Sequence, residues 1–517
     1  MTRSRPRKAR PWIVPLVLGV AAGVAACGPD AAVPDPSRVA DELRPRVRIV
    51  GAEDPAHSLV DRMEHHHVPG ASLAVIDDHR VVWARGFGVR EHGRDAPVDT
   101  TTRFQAGSIS KPVFASGALR LVEEGQLSLE ADVTRFLNSW SLPRTRFTED
   151  RDLTLRHLLS HTGGLTVHGF PGYPIDVPLP TVPEILDGTG AANTGPVRSD
   201  TIPGARFTYS GGGYTVAQLM ATDVTGERFP ELMRRRVLEP AGMSRSTFEN
   251  PPPDVHARHA ASGHEAWDTP LEGRFHVYPE MAAAGLWTTA TDLARWAIAV
   301  SRSYRGEGGL LSPETAREML TPQVELPGGD DPSAGWGLGP VLADSGEALR
   351  FTHGGRNMGF VATMSMWPAS GQGLVVMTNG TSDAFLAEVE RAFGAVYGLP
   401  IAPRVERRVA SRDPGELTGL AGRYASGEST DRVVVEVRRE GDVLRVEVPG
   451  LVRGRLYPEE GSDAFFDSET GTSWRFERPG DDSAEAATRL HMTLPGSEGA
   501  VVAERVERRS GDEDPPS

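Results

Sequence analysis

Cysteine is almost missing from this chain: Cys27 is the only one in 517 residues. A single cysteine excludes an internal disulfide framework, so the folded domains stand on their cores alone. Lysine is nearly as scarce. It occurs only at Lys8 and Lys111, and arginine fills every other strongly basic position. Arginine supplies a permanent surface charge as well as lysine does, but it does not give up its proton in a protein. Lys111 in an arginine-using sequence therefore points to a task that needs a titratable amine, such as proton transfer. An excess of positive charge is lacking too. The formal net charge of -15 argues against recognising nucleic acid or an anionic membrane surface by charge. The apolar run 12–26 is shorter than the roughly 20 residues a membrane-spanning helix needs.

What is present begins with a segment that stands apart. Arg3, Arg5, Arg7, Lys8 and Arg10 precede that apolar run, which is the layout of a secretory signal. The run ends Val24-Ala25-Ala26-Cys27, which resembles the bacterial lipoprotein signal, whose cysteine is acylated. The expectation is a signal over 1–26, lipidation at Cys27, and export to the bacterial cell envelope on a lipid anchor.

At this length two folded units plus tails are expected. Residues 27–54, with Pro29, Pro34, Pro36 and Pro45, read as a linker. From 55 to 400 helical and strand-like stretches alternate without a repeat. The apolar runs 73–76 and 81–83 flank Asp77-Asp78-His79-Arg80, a hairpin signal. Residues 112–124, 286–300 and 385–397 have helical spacing, and 359–366 and 373–377 read as buried strands. Residues 401–415 read as a second linker. Strict alternation follows over 416–508, as in Val433, Val435, Val437 and then Leu444, Val446, Val448, which predicts a small antiparallel β-barrel or sandwich. Leu420, Tyr424, Leu444, Trp474 and Phe476 are its inward candidates. The tail 509–517 is charged and reads as disordered.

The chemistry concentrates at Ser108-Ile109-Ser110-Lys111. A spacing of three on a helix puts the Ser108 hydroxyl and the Lys111 amine on one face. A helix N-terminus there would favour negative charge on the serine oxygen. Alone the motif is weak, but four further segments recur in order. They are His157-Leu158-Leu159-Ser160-His161-Thr162-Gly163-Gly164-Leu165, then Phe207-Thr208-Tyr209-Ser210-Gly211, then Ala284-Gly285-Leu286 with Thr289-Ala290-Thr291-Asp292-Leu293-Ala294, and His353-Gly354-Gly355. Together with Phe104-Gln105-Ala106-Gly107 before Ser108, they resemble the serine β-lactamase, DD-peptidase and class C-type esterase family over about 55–400.

The resemblance implies a fold and a site. The fold is α+β: an antiparallel sheet flanked by helices, with a helical subdomain inserted. Ser108 would be the nucleophile, Lys111 its base and Tyr209 the proton shuttle to the leaving group, with His353 beside them. The backbone N–H groups of Ser108 and Arg356 would form an oxyanion hole. Gly211, Gly354, Gly355 and Arg356 are the substrate-binding candidates. Two departures stand out: Gly211 replaces the Asn that ends the tyrosine motif, and His353 replaces Lys as a weaker, pH-dependent cation. Both remove groups that hold a penicillin, so esters are expected to outrank β-lactams. No cofactor or metal is implied, and the expected partner is a small-molecule or peptide substrate. The 416–508 region resembles the lipocalin-like domain of some family members, either a ligand cup or a packed core. A non-catalytic sensor of cell-wall fragments is the alternative function. His65-His66-His67 reads as a solvated helix face, because adjacent helical side chains point about 100° apart. His157 and His161 read as loop-structuring.

Overall fold

Two polar residues in left-handed backbone make the first turn. Asp78 and His79 have φ of 46° and 56° and join β1 (Gly70–Asp77) to β2 (Arg80–Gly88), the hairpin read from the apolar runs. This computed structural model describes residues 34–506 except 327–333, 402, 418, 427–432, 449–451, 481–484, 496 and 498. The signal segment, Cys27 and the tail 509–517 lie outside the described residues. No helix among the described residues is long and apolar enough to cross a membrane.

The hairpin belongs to a larger antiparallel sheet. Its other strands are β3 (Val324–Glu325), β4 (Gly335–Trp336), β5 (Val341–Ala343), β6 (Arg350–Asn357), β7 (Phe360–Trp367) and β8 (Gln372–Thr378). Among the described residues the order is β2-β1-β8-β7-β6-β5-β4-β3. Strand β7 is buried at every position, so both faces must be covered. Period two divides the work. Ala74 and Ile76 of β1 join one apolar cluster, and Leu73 and Val75 join the other.

Helices cover the two faces. On one side lie α1 (Leu59–His65) and a C-terminal helix, and on the other lie α2 (Ser110–Glu123) and the inserted helical region. That region includes α3 (Gly211–Thr225) and the short α4 (Met281–Ala284) and leads into α5 (Ala290–Arg305). The C-terminal helix is α6 (Asp383–Tyr397). Helix α5 starts later than its apolar spacing implies. Trp287–Thr288 instead pairs with Phe104–Gln105, and the Thr289 side chain caps the helix by accepting from the Asp292 N–H.

Both segments read as linkers carry ordered structure. Val47–Ile49 pairs in parallel with Val405–Arg407, and Val39, Leu43 and Val47 are buried. Val47–Ile49 and Val405–Arg407, one from each segment read as a linker, thus clasp each other.

The alternating C-terminal region closes on itself. Its strands are β9 (Gly422–Ser426), β10 (Val433–Glu440), β11 (Val443–Val448), β12 (Val452–Pro458), β13 (Phe465–Asp467), β14 (Ser473–Glu477), β15 (Arg489–Thr493) and β16 (Val501–Val506). They form a closed antiparallel barrel sealed by β9 against β16. Tyr424, Leu444, Leu456, Trp474 and Leu490 fill its interior. The buried Trp474 indole donates to Asp467 at 3.0 Å. The interior is a packed core, not a cup.

The histidine run is not a solvated face. His66 is buried against Glu388 of α6 at 3.0 Å, and His65 lies 3.4 Å from Glu469 of the barrel. His67, at φ 56°, contacts Arg453 of β12. Ligand atoms of His65, His66 and Glu469 come within 4.8 Å of one another. The Arg62 guanidinium bonds both Glu388 and Glu469 and supplies the positive charge at this place.

Candidate active site

Ser108 sits in a tight turn, Gly107–Ile109, that feeds directly into α2. The turn needs glycine at position 107. Gly107 has φ +51°, and a Cβ there would stand 2.5 Å from the Arg356 amide nitrogen. The Arg356 N–H of β6 is thereby held alongside the Ser108 turn, which is where the two oxyanion donors were expected. Gly355 presses still closer, since a Cβ on it would lie 1.9 Å from the Ala106 carbonyl oxygen. Gly355 is therefore a point of strand-to-turn contact. Gly354 is exposed, with nothing nearer its missing Cβ than 3.9 Å.

Lys111 lies one helical step beyond. Its Nζ donates to Ser108 Oγ at 3.0 Å and to the Ala283 carbonyl of α4 at 2.9 Å. It is 2% exposed. Two tyrosine rings lie nearby: Nζ stands 4.8 Å from the Tyr209 ring centroid and 5.8 Å from that of Tyr214. An amine buried among neutral partners is placed to exchange a proton with the serine.

Tyr209 comes to the pair with its ring face. Among the described residues its hydroxyl makes no hydrogen bond to Ser108 or Lys111. Trp336 packs on Tyr209, with ring centroids 5.6 Å apart, and His353 packs on Trp336, with ring centroids 5.4 Å apart and nearly perpendicular. The expected pH-dependent cation is not what is found. Burial, and then the Lys111 charge, push His353 down to about 3, so its imidazole is neutral. Its Nδ1–H donates to the Gly354 carbonyl at 2.5 Å.

Gly211 is buried at the start of α3 and offers the cleft no group. A Cβ there would meet the Phe170 ring at 2.9 Å, so Phe170 takes the room where the motif's usual Asn side chain would reach. Phe170 lines a cleft of about 310 Å³ with Ser108, Lys111, Tyr278, Arg356 and Met358. The Arg356 guanidinium is bound to Asp383 at 2.5 Å and to the Thr381 carbonyl at 3.2 Å. A larger cleft of about 490 Å³ lies between α1 and β10–β12, lined by Asp61, Glu64, His65, His67, Glu447 and Arg453, and among the described residues its lining includes no serine, threonine or cysteine.

Several site residues left no mark in the sequence. Ala283 acts through its carbonyl. Asn357 donates to Gln105 at 2.7 Å and to the Ala284 carbonyl at 3.0 Å, tying β6, the Phe104–Gln105 strand and α4 together. Phe170 and Trp336 belong to no motif. Of the two histidines read as loop-structuring, His157 closes the N-terminus of the Leu155–Leu159 helix. His161 packs on Tyr209 with ring centroids 4.2 Å apart.

Comparison with known proteins places the fold among known ones. Penicillin-binding protein 4 of Amycolatopsis lactamdurans is 26% identical over 377 residues, covering 69% of this chain and 93% of that protein. The octameric penicillin-binding protein homologue from Pyrococcus abyssi superposes with a TM-score of 0.57 at 22% identity, covering 86% of this chain and 98% of that one. D-amino acid amidase from Ochrobactrum anthropi SV3, solved with L-phenylalanine, gives a TM-score of 0.52 at 21% identity, covering 66% and 96%. These structural likenesses are likenesses of fold. The family described as Beta-lactamase matches residues 56–398, and the chain belongs to that family.

Proposed function

We propose that this protein is a serine hydrolase that works through a covalent ester on Ser108. The observation that carries the reading is the 3.0 Å contact between Lys111 Nζ and Ser108 Oγ, buried among neutral groups at the wall of a cleft. With Lys111 entering the reaction as the neutral amine, Ser108 Oγ would attack the substrate carbonyl as its proton passes to Lys111 Nζ. The oxyanion would be held by the Ser108 and Arg356 N–H groups, and Tyr209 would give its proton to the departing group and take the one held by Lys111 in its place. Water would then release the acid and regenerate the serine. Labelling the folded protein with a fluorophosphonate and mapping the adduct by mass tests the proposal. An unmodified Ser108 would defeat it.

The walls favour uncharged acyl and leaving groups. Phe170, Tyr278 and Met358 are aromatic or apolar, and the Arg356 charge is answered by Asp383. Neutral esters are the proposed substrates, with amides of D-amino acids next and β-lactams last. Turnover of chromogenic esters, D-amino-acid amides and nitrocefin checks this order, and nitrocefin turnover above ester turnover would overturn it. The proposal includes export and acylation at Cys27, supported by the basic start, the apolar run 12–26 and the Ala25-Ala26-Cys27 end. Cys27→Ala is expected to move the protein from the membrane fraction to the soluble one.

A further inference from the structure

Tyr209 is held by a residue outside the nucleophile, tyrosine and strand motifs. The Thr208 N–H donates to the His161 carbonyl at 2.7 Å. The Ser210 N–H donates to His161 Nδ1 at 3.0 Å. The residues on both sides of Tyr209 are thus pinned to one histidine. Its imidazole also lies along the phenol ring, 4.2 Å between centroids and tilted by 31°. Trp336 backs the imidazole edge-on at 4.8 Å.

His161 reaches this position in an unusual backbone. Its φ is 57°, a left-handed conformation that a residue with a Cβ adopts at a cost. To accept from Ser210, Nδ1 must be unprotonated, so the ring's single proton is on Nε2. Burial pushes the imidazole well below its ordinary range, with the Lys111 charge and His353 acting in the same direction. The neutral form that the hydrogen bond requires is therefore the form present.

We propose that His161 is a positioning residue that fixes where the Tyr209 phenol stands during protonation of the leaving group. The inference rests on the serine-hydrolase reading. It predicts a dependence on the leaving group. A p-nitrophenolate departs with little help, whereas an alkoxide needs a proton as it leaves, so only the second reaction leans on a well-placed acid.

The test compares kcat/KM for ethyl butyrate and p-nitrophenyl butyrate, two esters that give the same acyl-enzyme. His161→Asn keeps a short acceptor for Ser210 and tolerates positive φ, but removes the ring beneath Tyr209. The ethyl-to-nitrophenyl ratio is expected to fall about tenfold, a part of the 10²–10⁴ typical of general acid catalysis. In a Tyr209→Phe background the same substitution should not move the ratio further, because the two residues act as one unit. If the Asn variant does not fold, His161→Gly, which carries no φ penalty, takes its place. An unchanged ratio, or a full additional fall in the Tyr209→Phe background, overturns the proposal. Absence of both Ser108 labelling and ester turnover in the unaltered protein is a different failure. It defeats the hydrolase reading first and this inference with it.

Discussion

Lys111 is the residue on which the proposed reaction turns, and its replacement by arginine separates charge from basicity. Lys111→Arg keeps a cation near Ser108 but cannot take its proton. Ester turnover is expected to fall by at least about 100-fold, the low end for general base catalysis. Near-full activity would show that the scarcity of lysine was a poor guide. Ser108→Ala should abolish acylation outright. His353 makes a prediction of a different kind, in stability. Its ordinary value is 6.5, and in the folded protein it is pushed down to about 3. Between those values the unfolded chain binds a proton that the folded one refuses. The contribution of His353 to stability is therefore full above pH 6.5 and is lost as pH falls from there toward 3, at about 1.4 kcal/mol per pH unit for one such group. His353→Gln removes this group, so unfolding in urea between pH 7 and pH 4 should show a shallower loss. An unchanged slope would mean that His353 is charged in the folded protein.

At the scale of strands and helices, β6 against the Ser108 turn is the contact that builds the site. Gly355→Ala drives a Cβ into the Ala106 carbonyl, so either the turn or the strand must move. A cost of about 1–3 kcal/mol is expected, with loss of activity, because the Arg356 N–H shifts with the strand. Gly354→Ala meets open space and should leave the melting temperature unchanged while altering KM. Equal destabilisation by the two would contradict this packing. The same contact shows what a sequence discloses. Ser108 and Lys111 were legible because i, i+3 spacing on a helix is local, and the β1–β2 hairpin and the barrel strands because period two is local. The start of α5 was misplaced because Thr289 caps the helix where apolar spacing alone reads straight through. The clasp of Val47–Ile49 on Val405–Arg407 had no local signal at all, being two three-residue strands far apart in the chain. Ala283 was invisible for a plainer reason: a backbone carbonyl leaves no trace in residue type. Gly211 was noticed as a missing amide, but the aromatic ring that fills its place comes from Phe170, on a loop with no motif.

The whole molecule joins its β-lactamase-family domain and barrel through a buried ionic knot. Arg62 of α1 bonds Glu388 of α6 and Glu469 of the barrel, and all three are buried. Burial acts to raise the Glu469 carboxyl, but the His65 and Arg62 side chains outweigh it and push it down to about 2 from an ordinary 4.5. Its contribution is therefore present above pH 4.5 and is lost as pH falls from 4.5 toward 2. Glu469→Gln leaves Arg62 with one carboxylate in place of two. Removing a partner from a buried pair typically costs about 3–5 kcal/mol, so a large fall in stability at pH 7 is expected. The variant should also lack the part of the acid destabilisation that Glu469 supplies to the unaltered protein. Among the described residues the lining of the Ser108 cleft comes from the β-lactamase-family domain, between Ser108 and Thr381. Ester turnover at a temperature where the variant is folded should therefore be unchanged. A chain ending near Pro403 loses Glu469 and the strand that clasps Val47–Ile49, so it should melt earlier yet still hydrolyse small esters. Complete inactivity of that chain with a native circular-dichroism spectrum would mean that the barrel takes part in the site. Activity retained together with an unchanged melting temperature would mean that the knot adds nothing net, as happens where the desolvation of buried charges cancels their attraction.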